Sequence, residues 1–358
     1  MTFEMMPRGP FDLATSNQYF GGWITCGPAQ ASIAMAFPVE GWYASAAVIL
    51  RQDKGGAIMG DVHGAGNDAE KAWQQALSVL SLDCDGAGWP EIGQRDPVIG
   101  NLQHVHHFLR PVLFHSPYEA AAAFIIGHRI SIKQGRAIRQ EMAQAIGDSI
   151  QAGETTLYAF PRPQALLELT SFKGINAEKI ERLHGIALSA LDGHLDRGWL
   201  RSLPVEQALT TLRSLRGVGQ FFSQGILLRG AGLVDDVSDD AMTKEAVQLA
   251  YQLSQPPNYT KILQQAENWR PYRMWASVLL HVWLRCEAGG PLQRQAVVWR
   301  RNQLRRHTVP SDLVLDHETP LLIAQLAVGV DLALAQVADH VPVQAGLVDA
   351  ARFGQGRA

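Results

Sequence analysis

Two stretches of helical pattern in this sequence are joined by a very short glycine turn, and this junction constrains the fold more than any other feature. The segment LRSLRGVGQFFSQGILLRG runs from Leu212 to Gly230, and apolar residues recur at helical spacing on both sides of Gly217, Val218 and Gly219. So tight a connection needs backbone conformations that glycine adopts cheaply, while the valine fills the junction. The pattern predicts a helix-hairpin-helix.

The hairpin has a chemical consequence. The first amides of its second helix, at Gly219, Gln220 and Phe221, have no partner inside the helix, and the positive end of the helix dipole lies there. Such a site favours a phosphate and binds nucleic acid without reading its sequence. The same glycine pattern also occurs at ordinary helix ends, so alone it leaves both readings open. A net charge of −3 gives no global basic signature, so DNA binding would depend on local features.

An acidic segment follows the hairpin. It reads GLVDDVSDDAMTKEAV from Gly232 to Val247, and a new helix is predicted directly after its aspartates. Ser238 or Asp239 can cap this helix, which places Asp240 in its first turn. Asp240 lies 21 residues after Gly219. Capping and solvation explain the remaining aspartates, namely Asp235, Asp236 and Asp239.

With these blocks in this order, the chain resembles the helix-hairpin-helix DNA glycosylases, and within them the bacterial DNA-3-methyladenine glycosylase II type. The similarity covers roughly residues 10 to 285 and includes RPVLFHSPYEAA, IERLHGIALSALDG and ENWRPYRMWASVLLHVW. It implies base excision repair: hydrolysis of the N-glycosidic bond of alkylated purines in double-stranded DNA. It also implies that Asp240 is the indispensable catalytic carboxylate.

The resemblance defines a chemistry for Asp240. A carboxylate beside the sugar stabilises the positive charge that develops as the base departs. An alkylated purine leaves readily, so Asp240 would suffice as the single obligatory group. Bifunctional relatives carry a lysine two residues after the second hairpin glycine, where it forms a Schiff base. Here that position is Phe221, which implies a monofunctional enzyme, and Lys244 is interpreted as a surface ion-pair partner.

The family flips the target nucleotide out of the duplex and holds its base among aromatic rings. By family position, the residues implied for the base pocket are Trp283, Phe221, Tyr272 and Trp275.

The turn IGHRIS, from Ile126 to Ser131, matches the family segment that fills the gap in the duplex with a glutamine and an apolar wedge. His128 and Arg129 stand there instead, so the wedge stays open and Arg129 can bind phosphate. Arg129, Lys133 and Arg136 lie at helical spacing, which predicts a positive stripe on DNA or, alternatively, a solvated face. Two further departures, Arg216 before the hairpin and Ala241 after the aspartate, allow a different substrate preference.

The predicted fold class is α+β. Short runs of Val, Ile and Ala between residues 31 and 61 predict a small antiparallel sheet, and residues 68 to 80 an amphipathic helix upon it. Helical patterns dominate from Pro117 to Arg285, starting with a capping box at Ser116 to Glu119. The predicted domains are an N-terminal α+β domain (1–105), an all-helical glycosylase domain (106–286) and a C-terminal extension of unassigned role (287–358).

The remaining expectations concern partners and compartment. With 47% hydrophobic and 18% charged residues the chain has the composition of a globular protein. Cys26, Cys84 and Cys286 form no CxxC pair, which predicts no metal and no cofactor. We expect a cytoplasmic monomer, associated with the nucleoid when bound to DNA, with no obligatory protein partner. The apolar run from Leu321 to Ala338 contains polar residues that disfavour a membrane span.

Three alternatives stay open from the sequence. One is a DNA-binding module that keeps the hairpin without cutting bases. Another is a glycosylase for oxidised or deaminated bases, because the sequence gives little leverage on the lesion. The last is a regulator fused to a damage sensor, which would require the extension to bind a ligand.

Overall fold

The computed structural model describes residues 1–19 and 32–288 of the 358-residue chain. The described strands are β1 (Thr2–Met5), β2 (Ser32–Pro38), β3 (Ser45–Gln52), β4 (Ile58–His63), β5 (Ser149–Ala152) and β6 (Thr155–Tyr158). The described α-helices are α1 (Leu13–Asn17), α2 (Ala69–Val79), α3 (Trp89–Arg95), α4 (Pro97–Val105), α5 (Pro117–Gly127), α6 (Ile132–Ile146), α7 (Pro163–Leu167), α8 (Ala177–Leu191), α9 (Arg197–Ser202), α10 (Val205–Arg213), α11 (Gln220–Gly225), α12 (Ala241–Ala250), α13 (Tyr259–Ala266) and α14 (Arg273–Trp283). A π-helical turn, Ile226–Ala231, continues α11.

The N-terminal sheet is antiparallel throughout, with strand order β1-β4-β3-β2. Strand β3 is buried along most of its length because it pairs on both sides and α2 packs on the sheet. Trp73 of α2 stacks on Phe3 of β1, with ring centroids 5.7 Å apart. The predicted mixture of a small antiparallel sheet with helices is confirmed. Strand β1 escaped prediction because four residues are too few to show a period.

Helix α5 is the most deeply buried helix of the central part. All of its residues except Gly127 are buried, which is possible because four consecutive alanines let neighbouring helices approach closely. Ser116 caps its start by accepting the backbone N–H of Glu119 at 3.1 Å. The predicted capping box is half formed. The Glu119 carboxylate turns away to pair with His115 and Arg139, because a buried charge needs cationic partners more than the cap does.

Two hydrophobic clusters lie under the helices. The first joins the sheet and α2 to α3, α4 and α12–α14, so distant segments of the chain share one core. The second lies among α5, α8, α10 and the π-helical turn. The predicted boundary at residue 105 stays a prediction. The predicted extension (287–358) lies outside the described residues apart from Glu287 and Ala288, and the run Leu321–Ala338 lies wholly outside them.

Within the described ranges, every helix is too short or too polar to cross a bilayer.

Candidate active site

The predicted hairpin joins α10 to α11. Gly217 has φ +88°, and a Cβ there would approach Arg182 Cδ to 2.8 Å, so this position requires glycine. Val218 is 5% exposed and plugs the junction. Gly219 has φ −88°, which any residue adopts, and a Cβ there would meet no described atom within 4 Å. Its glycine therefore keeps the surface of the hairpin bare, with Gln220 exposed beside it.

Asp240 itself is the N-cap of α12, which corrects the expected cap of Ser238 or Asp239. Its backbone is extended (φ −124°, ψ 164°), and its carboxylate accepts the backbone N–H of Thr243 at 2.8 Å. The hydroxyl groups of Thr243, at 3.0 Å, and of Ser238 also donate to this carboxylate. Asp239 forms an ion pair with Lys244 at 2.6 Å, the surface role predicted for that lysine. Within the described ranges, therefore, Asp239 has a lysine partner, whereas Asp240 is held by hydroxyl and backbone N–H donors and has no Lys or Arg partner.

The environment of Asp240 keeps its carboxyl ionised at neutral pH. Burial alone would raise its pKa, but the charge that His281 carries when protonated and the donors on Ser238 and Thr243 lower the pKa below its ordinary value. His281 lies behind this group, with Nε2 2.9 Å from the hydroxyl oxygen of Thr243. Burial lowers the pKa of His281 to about 4, so its imidazole is neutral near pH 7.

Asp240 lines a cavity of about 540 Å³. Its walls come from helices α5, α6, α11, α12 and α14, from the π-helical turn and from the segment that precedes α12. The wall residues that bear on chemistry are Phe114, Phe124, Phe221, Arg229, Asp240 and His281. Phe221 lies two residues after the last hairpin glycine, so the cavity that holds the carboxylate also reaches the end of the hairpin. Such a cavity is large enough for a flipped nucleotide base.

Of the four aromatic residues predicted for this pocket, all in the described part, Phe221 alone lines the cavity. It is 53% exposed and meets Phe124 edge to face, with ring centroids 6.1 Å apart. Tyr272 and Trp275 instead pack on Trp89 in the core, and Trp283 packs against the same cluster.

The phase of α14 explains this correction. Its cavity face carries Met274, Val278 and His281, spaced by three and four residues. Trp275 and Trp283 point elsewhere on the helix, and Tyr272 precedes it. The Tyr272 hydroxyl donates to the Asp85 carbonyl at 2.7 Å, which holds the ring in the core.

Sequence reasoning missed the other wall residues. Phe114 precedes α5 and Phe124 lies in a helix buried on every side, so neither stood out from core positions. A signal did exist for His281. Ser277 and His281 of α14 and Arg285 just after it recur every fourth residue in a mostly apolar stretch, and all three line the cavity.

The turn before α6 is arranged differently from the prediction. Arg129 is exposed and has φ +58°, so it stands outside α6, which begins at Ile132 after the Ser131 capping box. The predicted stripe is therefore corrected: Lys133 lies on α6 but Arg129 does not. His128 packs edge to face on Phe222 at 5.7 Å, and burial together with the charge of Arg129 lowers its pKa.

Lys179 of α8 holds this turn in place. Its ammonium group donates to the carbonyls of Ile126 and His128 at 2.8 and 2.9 Å. The carbonyls at the end of α5 are thereby satisfied, and the chain turns sharply enough to lift Arg129 toward solvent.

A glycine hairpin, an aspartate that caps the next helix, an aromatic cavity and a small antiparallel sheet make up a fold that is similar to those of solved DNA glycosylases. The structure of a 3-methyladenine DNA glycosylase from Archaeoglobus fulgidus matches with a TM-score of 0.65 at 17% identity, over 79% of this chain and 98% of that one. An 8-oxoguanine glycosylase/lyase of Clostridium acetobutylicum, in complex with DNA, matches with a TM-score of 0.53 at 18% identity, over 68% and 84%.

Two curated sequences that are similar to this chain are both named DNA-3-methyladenine glycosylases, which confirms the resemblance inferred from the sequence. The DNA-3-methyladenine glycosylase of Bacillus subtilis is 23% identical over 210 residues, which are 56% of this chain and 68% of that enzyme. DNA-3-methyladenine glycosylase 2 of Escherichia coli is 28% identical over 175 residues, 46% and 56% respectively. The chain thus matches between about half and two thirds of the length of these homologues. No family model matches it.

Proposed function

We propose that this chain is a DNA glycosylase that hydrolyses the N-glycosidic bond of alkylated purines, of the 3-methyladenine type, in double-stranded DNA. The observation that carries the proposal is an ionised, partly buried carboxylate, that of Asp240, on the wall of a 540 Å³ cavity beside the glycine hairpin. Two homologues named DNA-3-methyladenine glycosylase support the choice of substrate class.

The chemistry follows from the position of Asp240. A nucleotide flipped into the cavity brings its sugar toward the wall where this carboxylate lies. As the bond to the base breaks, positive charge develops on the sugar, and a fixed anion in a partly desolvated site stabilises it. The three donors on Ser238 and Thr243 keep the carboxylate ionised and hold its direction. An alkylated purine leaves without a strong acid, so the same anion can also orient the attacking water.

Binding to the duplex is assigned to the surface around the cavity. The bare amides from Gly219 to Gln220 suit a backbone phosphate, with Gly217 and Val218 shaping the turn that presents them. The exposed Arg129 and Lys133, with His128, form a second contact region at the other turn. The proposal needs no metal, cofactor or second subunit.

The absence of a lysine at the hairpin supports hydrolysis without strand cleavage. Phe221 takes the position at which bifunctional relatives carry the Schiff-base amine. Lys244, one turn from Asp240, is engaged by Asp239.

A second candidate substrate comes from the fold comparison. The Clostridium acetobutylicum neighbour is named for 8-oxoguanine, which makes an oxidised base the second candidate. A panel of duplexes, each with one methylated, deaminated or oxidised base, ranks the candidates by the rate of base release.

The decisive experiment uses methylated duplex DNA with and without a final alkali treatment. The wild-type protein should leave abasic sites that break only with alkali, whereas breakage without alkali would refute the monofunctional assignment. Asp240→Asn should lose base release while still binding DNA. Asp239→Asn is the matched control, because that neighbouring carboxylate is neutralised by Lys244. Full activity of Asp240→Asn would overturn the proposal, and binding without any base release in the wild type would favour a non-catalytic DNA-binding module.

A further inference from the structure

His281 is a half-buried imidazole on the cavity wall that reaches the carboxylate of Asp240 through one intermediary, the hydroxyl group of Thr243. Its Nε2 lies 2.9 Å from Thr243 Oγ1, and Thr243 Oγ1 lies 3.0 Å from Asp240 Oδ2. The three side chains come from two helices: Asp240 caps α12, Thr243 is in its first turn, and His281 faces them from α14. The chain of contacts thus connects the N-cap of α12 to the cavity face of α14.

The direction of the hydrogen bonds in this chain follows from charge. An ionised carboxylate can only accept, so the Thr243 hydroxyl must donate its single proton to Asp240. The oxygen of that hydroxyl still has lone pairs, and it accepts a hydrogen bond from the N–H at Nε2 of His281. The reverse orientation would leave two lone pairs facing each other across 3.0 Å beside Asp240. The neutral imidazole therefore carries its proton on Nε2.

This arrangement resolves a choice of rotamer. A threonine in a helix can turn its hydroxyl back to a main-chain carbonyl three or four residues earlier, and it is stable in either rotamer. In the rotamer seen here the Thr243 hydroxyl donates to Asp240. The hydrogen bond from Nε2–H of His281 stabilises this rotamer and not the alternative one. Thr243 is 1% exposed, so water does not compete for its hydroxyl.

We propose that His281 is a positioning residue for Asp240, acting through the hydroxyl of Thr243. The proposal rests on the proposed function, because it assigns His281 a part in the same reaction. The charged groups that face the imidazole are Asp240 on α12, Arg229 on the π-helical turn and Arg285 after α14. Burial first, and the two arginines after it, disfavour an imidazolium, so the ring is neutral near pH 7 and supplies one directed hydrogen bond rather than a charge.

A double-mutant cycle on Thr243→Val and His281→Leu tests the linkage. Each single variant should slow single-turnover base release about tenfold at unchanged DNA affinity, since each removes one directed hydrogen bond. The double variant should be about as slow as Thr243→Val alone, because His281 has no route to Asp240 without the hydroxyl. Effects that multiply to about a hundredfold would overturn the proposal. Thr243→Ser and His281→Gln, which keep a hydroxyl and an N–H donor, should recover most of the rate.

The pH profile distinguishes positioning from mere packing. The protonated His281 and the donors on Thr243 both lower the pKa of the Asp240 carboxyl, so His281→Leu and Thr243→Val should each move the acidic limb of the rate profile upward, by about one pH unit. His184→Leu is the control, a partly buried helical histidine that bonds the Leu169 carbonyl, and it should leave the limb in place. An unmoved limb in both site variants refutes the inference while the wild type still releases bases. A wild type without base release refutes the proposed function instead.

Discussion

The two hairpin glycines should respond oppositely to alanine, because they serve different purposes. At Gly217, φ +88° places an added Cβ in the left-handed region, which costs about 1–2 kcal/mol, and 2.8 Å from Arg182 Cδ, which must then move. Gly217→Ala should therefore lower the melting temperature by roughly 2–8 °C. At Gly219 the backbone is already ordinary, and the new methyl group meets no described atom within 4 Å. Gly219→Ala should keep or slightly raise the stability.

DNA affinity should respond differently from stability, because Gly219→Ala, the variant that keeps its stability, should lose affinity. Gly219→Ala adds a methyl group at the exposed position from which the amides proposed to bind phosphate begin, so the affinity of this variant for a duplex with an abasic-site analogue should fall about tenfold. Circular dichroism melts give the stability, and fluorescence anisotropy titrations at several salt concentrations give the affinity. A stable Gly219→Ala protein with wild-type affinity and salt dependence would refute the assignment of DNA binding to the hairpin amides.

Three further predictions follow from the site. Asp240→Asn should slow base release at least a hundredfold. Its free energy of unfolding should stay within about 1 kcal/mol of the wild-type value because asparagine also caps helices, and a large shift in the melting temperature would contradict this. Phe221→Ala should weaken lesion binding by about 1–3 kcal/mol without loss of stability, because Phe221 lines the cavity. Trp275→Phe should lower the stability and leave lesion specificity unchanged, because Trp275 is buried in the core. Equal effects of the two variants in binding assays would indicate that Trp275 belongs to the pocket. The pKa of His281 is lowered from 6.5 to about 4, so on acidification the unfolded chain binds a proton before the folded one does. Stability should therefore fall as the pH drops from about 6.5 to about 4, by at most about 3 kcal/mol. Denaturation measurements should show a smaller pH dependence of stability for His281→Gln.

The hairpin and the acidic segment could be predicted because their signals are local. Gly217 needs a positive φ, and Asp240 follows it at a fixed distance, so both can be identified without knowing what packs around them. The cap of α12 was misplaced by one or two residues, since Ser238, Asp239 and Asp240 are all good capping residues and the backbone conformation decides among them.

The pocket could not be predicted to the same degree because it depends on which face of a helix meets which neighbour. Helix α14 is apolar nearly all round, with one face toward α3 and α4 and another toward the cavity, so the sequence did not indicate which of its aromatic residues face the cavity. Phe114 and Phe124 came from segments that read as core. Arg129 left the predicted stripe because Lys179, a residue fifty positions away, fixes the turn that carries it.

The double exposure of α14 has a consequence for the proposed site. The helix that carries His281 packs on Trp89 of α3 and on α4, so the position of one cavity wall is set partly by two helices that do not line the cavity. Substitutions that loosen α3 or α4 should therefore weaken the proposed discrimination between damaged and intact bases before they unfold the protein. These two helices thereby contribute to the proposed selectivity as well as to stability.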